Sequence, residues 1–70
     1  MVNVFAPMSG KIVKVNVAIG DVVAENQPVC VFEAMKMEMD IPAPAGGRVK
    51  EIKVAPGQMI QADAAIIILE

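Results

Sequence analysis

Residues 6–33 lie over residues 43–70 at a constant offset of 37 with no gap, so the chain is one pattern written twice. APMSGKIVKVNVAIGDVVAENQPVCVFE stands on APAGGRVKEIKVAPGQMIQADAAIIILE, with identities at Ala6/Ala43, Pro7/Pro44, Gly10/Gly47, Val17/Val54, Ala18/Ala55, Gly20/Gly57 and Glu33/Glu70. Conservative matches include Lys11/Arg48, Ile12/Val49, Val15/Ile52, Val23/Ile60, Val29/Ile66, Val31/Ile68 and Phe32/Leu69. Turn glycines and apolar positions repeat together, which Val-richness alone would not produce. Two copies are too few for a solenoid, so the repeat predicts one core shared by two halves about a pseudo-twofold axis. A second core would need roughly 50 residues of its own, so residues 1–70 are read as a single domain.

Each half reads as β structure, because its segments are short, rich in Val and Ile, and punctuated by Gly, Pro and Asn. The expectation is an all-β fold, a flattened antiparallel barrel or sandwich of about eight short strands, four from each half. Val15, Asn16, Val17 and Ile52, Lys53, Val54 alternate apolar and polar, with Asn16 and Lys53 turned to water and Val15 and Ile52 turned to the core. Alternation slips between Ile12 and Val15 and between Val49 and Ile52, which predicts a β-bulge near Val13-Lys14 and another near Lys50-Glu51. Gly20 and Gly57 occupy matching turns.

The repeat also predicts where the unrepeated residues go. Residues 34–37 map beyond the end of the chain, so the connector Ala34-Met35-Lys36-Met37 is the symmetry mate of the place where the two termini meet. Lys36 and the chain ends are therefore expected at opposite poles. The stretch Glu33 to Asp40 is built from good helix formers. It is too short for a stable helix and runs into Pro42, and the β-branched register of Val29 to Phe32 leads into it, so by local rules a hairpin turning at Met35-Lys36 and a short helix stand nearly even.

Composition removes most chemistry. There is no His, Tyr or Trp and one Cys, which excludes Ser-His and Cys-His catalysis and leaves too few ligands for structural zinc. Cys30, between Val29 and Val31, reads as a small buried hydrophobe in a chain suited to a reducing cytoplasm. Ser9 reads as a turn hydroxyl. The net charge of −2 comes from six basic and eight acidic residues scattered along the chain, which argues against nucleic acid as a partner. The longest apolar runs, such as Ala64 to Leu69, fall far short of the roughly 20 residues that cross a bilayer.

One cluster is left over. Met35, Met37 and Met39 surround Lys36. Alternating methionines could fill an end of the core beside a solvated lysine. Equally, a cation on a tight turn with flexible apolar neighbours could be a patch that another protein recognises. A Cu(I) site of thioethers lacks a supporting His or nearby Cys.

The APMSG opening, the Gly20-Asp21 turn, Glu33 followed by Ala34-Met35-Lys36-Met37, the Ala43-Pro44 restart and the Gly57 turn together resemble the biotinyl domain of biotin carboxyl carrier proteins and biotin-dependent carboxylases. The resemblance covers essentially the whole chain. It implies that Lys36 bears covalent biotin, that Met35 and Met37 are flanking recognition residues, and that Ala34 and Glu33 belong to the hairpin's context. It implies no catalytic residue in the chain itself. The partners it implies are a biotin protein ligase, a biotin carboxylase, and a carboxyltransferase or decarboxylase subunit, between which the carrier would shuttle a carboxyl group as carboxybiotin. It also implies an isolated domain that is monomeric, located in the cytoplasm or on the cytoplasmic side of a membrane-bound decarboxylase. The connection from Ile19 to Val31 lacks the insertion seen as a protruding thumb in some acetyl-CoA carboxylase carriers, which favours other carboxylases, decarboxylases or transcarboxylases as the parent. A lipoyl-type acyl carrier, whose lysine usually follows Asp, and an unmodified interaction module are the alternatives.

Overall fold

The computed structural model describes residues 1–70, which form eight strands and no helix. In chain order they are β1 (Val2–Phe5), β2 (Gly10–Val15), β3 (Val22–Val23), β4 (Pro28–Ala34), β5 (Met37–Pro42), β6 (Gly47–Ile52), β7 (Met59–Ile60) and β8 (Ala65–Leu69). Two antiparallel sheets result, with strand orders β1-β8-β6-β3 and β5-β4-β2-β7. Each sheet takes two strands from each repeat, so the halves interlock through both layers.

The offset of 37 carries one sheet onto the other. Ile12↔Phe32 and Lys14↔Val31 in one sheet correspond to Val49↔Leu69 and Glu51↔Ile68 in the other, and Phe32↔Met39 corresponds to Val2↔Leu69. The loops obey the same operator. Gly20 N–H donates to the Val49 carbonyl at 2.8 Å, and Gly57 N–H to the Ile12 carbonyl at 2.7 Å. Asn26 N–H reaches the Ala43 carbonyl at 2.8 Å, and Asp63 N–H the Ala6 carbonyl at 3.0 Å. The connector 34–37 thus ends one sheet, while the paired termini hold the equivalent place on the other.

Between the sheets lies a single core of 15 apolar residues, among them Val4, Ile12, Val29, Phe32, Ile41, Val49, Ile66, Ile67 and Leu69. No polar side chain is buried in it. Val15 and Ile52, expected in the core from alternation, are half-buried and pack on its margin. The bulges explain the change: register shifts between Ile12 and Lys14 and between Val49 and Glu51, so Ile12 and Val49 take the central positions. A second pair of bulges falls at Val29 and Ile66, where register jumps from Pro28 to Cys30 and from Phe5/Ala65 to Val4/Ile67. These make consecutive residues, Val29-Cys30 and Ile66-Ile67, fully buried. The Val29 and Ile66 carbonyls then accept from Asn16 N–H at 2.9 Å and Lys53 N–H at 2.8 Å.

Candidate functional site

The β4–β5 ladder runs from Pro28↔Pro42 up to Ala34↔Met37, leaving only Met35 and Lys36 to turn the chain. Both have positive φ, 53° for Met35 and 64° for Lys36. Two left-handed residues between antiparallel strands are the backbone of a type I′ hairpin, whose twist matches that of its strands. Asn-Gly is the usual choice there, because a side chain in the left-handed region costs roughly 1–2 kcal/mol. Met-Lys sits at that place with neither Asn nor Gly, and strain of this kind is characteristic of functional positions.

Below the turn the hairpin is anchored. Ala34 is buried and Phe32 is wholly enclosed by the core. Gly10 lies against this strand so closely that the β2–β4 contact has no room for a side chain. Above the anchor everything faces water: Met35 is 88% exposed, Met37 is 65% exposed, and Lys36 and Glu33 are exposed as well. Of the three methionines only Met39 packs on the core, so they do not jointly fill its end. The molecule's one ion pair joins Lys53 to Glu51 at 3.6 Å, which leaves the Lys36 ammonium without a carboxylate partner.

Cross-strand pairing adds Lys11 and Met59, which their sequence positions did not associate with the turn. Glu38 faces Glu33, Glu33 faces Lys11, and Lys11 faces Met59, making an exposed row across all four strands one step below the tip. Their signal lay in the bulge, since only the shifted β2–β4 register puts Lys11 opposite Glu33. Ser9 is remote from any such role, with its hydroxyl oxygen accepting from Ala62 N–H at 3.3 Å. Cys30 is buried, and desolvation pushes its thiol above the ordinary value near 9.0, partly opposed by its contact with the Val31 carbonyl. It is a packing residue. No group of His, Cys, Asp and Glu is arranged to hold a metal ion.

A rigid turn that holds out a free primary amine, anchored in an all-β scaffold, is the layout of an attachment domain. The chain belongs to the family described as biotin-requiring enzymes, whose profile matches residues 2–69. Within that family it is a biotinyl domain of the carrier type, with biotin as its cofactor, and it is a carrier and not a catalyst. It is 50% identical over 62 residues to a biotin carboxyl carrier protein of Streptococcus mutans, covering 89% of this chain and 48% of that protein. It is 51% identical over 59 residues to the biotin carboxyl carrier protein of acetyl-CoA carboxylase of Solanum lycopersicum, covering 84% of each. Among solved structures, the urea carboxylase of Kluyveromyces lactis superposes with a TM-score of 0.93 at 29% identity, over 99% of this chain and 6% of that one. The chain therefore spans about half of the Streptococcus carrier and a small part of the yeast enzyme.

Proposed function

We propose that Lys36 is the residue that bears biotin, and that the chain presents it in turn to a biotin carboxylase and to a carboxyltransferase or decarboxylase of its parent enzyme. The observation that carries this reading is the exposed, unpaired Lys36 amine on a two-residue left-handed turn. No carboxylate is paired with the Lys36 amine and no His is present to activate it, so the domain is the substrate of a biotin protein ligase at this step. Once deprotonated in the ligase, Lys36 Nζ attacks the acyl carbon of a biotinyl adenylate; the C–N bond forms as AMP leaves. Acylation removes one positive charge, taking the formal net from −2 to −3.

The bound cofactor supplies a ring nitrogen that can hold a carboxyl group. The residues of the chain hold its arm at a fixed point. The β4–β5 ladder and the buried Ala34 fix the base of the arm, so the search for each active site is confined to the arm and to whatever tethers the domain. Met35 and Met37 give the partner enzymes a flexible apolar grip on either side of Lys36, while Glu33 and Ala34 define its approach and its anchor.

Intact mass after coexpression with a biotin protein ligase tests this directly. One biotinyl increment is expected on the wild-type chain and none on Lys36→Ala. A lipoyl increment in a host competent for both would replace biotin by the acyl-carrier alternative. An unmodified chain would leave an interaction module.

A further inference from the structure

Sulfur is unevenly protected in this molecule. Cys30 is fully buried and its thiol is held neutral, so the residue usually most sensitive to oxidation is shielded. The methionines divide by place. Met39, three residues beyond Lys36, is half-buried against the core, and Met8 is 37% exposed. Met35 and Met37, on either side of Lys36, are 88% and 65% exposed and do not pack on the core; away from the turn, Met1 and Met59 are exposed to a similar degree, at 84% and 70%. Met35 is also held in the left-handed region, which sets the direction in which its side chain leaves the turn.

We propose that Met35 and Met37 are a reversible oxidation site that governs whether the Lys36 turn is recognised, with hydrogen peroxide as the oxidant. In each event one peroxide oxygen is transferred to the thioether sulfur; sulfur is oxidised by two electrons to the sulfoxide, the O–O bond breaks, and the second peroxide oxygen leaves as water. The product side chain is polar and chiral in place of flexible and apolar. A partner surface that grips the turn through two thioethers then meets two strong dipoles that it must desolvate. The governing step is the ligase's recognition of the turn, so this inference rests on the reading of Lys36 given above.

The test uses the 70-residue chain, hydrogen peroxide and a biotin protein ligase. Peptide mapping of the treated chain is expected to show Met35 and Met37 oxidised at least about tenfold faster than Met39. The biotinylation rate of the treated wild type should fall at least about tenfold from its own untreated rate, and methionine sulfoxide reductases should restore it. Met35→Leu/Met37→Leu, treated alike and compared with its own untreated rate, should lose less than about twofold, although Met1 and Met59 remain exposed and oxidisable in it. Oxidation of Met39 as fast as Met35, an undiminished rate in chain shown by mass to carry both sulfoxides, or an equal loss in the double variant would each overturn the proposal. Absence of biotin on untreated chain would instead remove the assignment of Lys36, while the oxidation order would still be read by mass alone.

Discussion

A methyl group added at Gly10 would stand 2.5 Å from the Glu33 carbonyl oxygen and 2.9 Å from the Phe32 ring, and one at its mate Gly47 would stand 2.9 Å from the Glu70 carbonyl oxygen. Backbone cannot give way there as a flexible side chain could, so Gly10→Ala is expected to cost about 1–3 kcal/mol in urea unfolding. The same substitution moves the strand that anchors the Lys36 turn, and a variant as stable as wild type would show that the contact is looser than it stands. Cys30 permits a pH experiment. Burial favours its neutral thiol, so its folded ionisation lies above the unfolded one, and the stabilisation is complete below the unfolded value near 9.0 and fades as pH rises through the folded value. Urea stability should therefore drop more between about pH 8 and about pH 10 in the wild type than in Cys30→Ala. Equal slopes would mean that the thiol is not desolvated in solution.

The β4–β5 hairpin is the element in which local preference and final structure disagree most. Asparagine tolerates the left-handed region far better than methionine and a β-branched residue far worse, so Met35→Asn should gain up to about 1 kcal/mol and Met35→Val should lose about 1 kcal/mol or more in the same unfolding assay. The opposite order would show that the turn is not of the left-handed type. Little of this turn was legible locally: Met-Lys carries none of the Asn or Gly that marks such a turn, and Glu33 to Asp40 is rich in helix formers. It became legible through the repeat, which makes the connector the symmetry mate of the place where the chain ends meet, and through the likeness to biotinyl domains. The bulges beside Val13 and Lys50 could be read because polar residues break the count of alternation there. Those at Val29 and Ile66 could not, since an extra residue inside an unbroken apolar run leaves no mark in the pattern. The row from Glu38 to Met59 was hidden for another reason, because it needs the pairing of β2 with both β4 and β7 as well as the bulge beside Val13.

Over the molecule as a whole, stability rests on one apolar core with no buried polar group, no disulfide and one exposed ion pair. Ile12→Ala, at a site with no exposure, is expected to cost about 2–5 kcal/mol, and Ile52→Ala on the margin less than about 2 kcal/mol, measured by thermal or urea unfolding. A comparable loss at both would place the centre of the core elsewhere. A total of only about 5–15 kcal/mol is usual for a small domain, so the first of these is a large fraction of what holds the fold. The twofold relation between the sheets has a further meaning for stoichiometry. Two unjoined half-length chains embracing in this manner would be indistinguishable, with loose ends at both extremities and no closed loop at either. Covalent fusion breaks that equivalence by sealing one extremity and leaving the other open. A single projecting, amine-bearing turn per molecule thus follows from how the two copies are joined, with no change to the packing that they share.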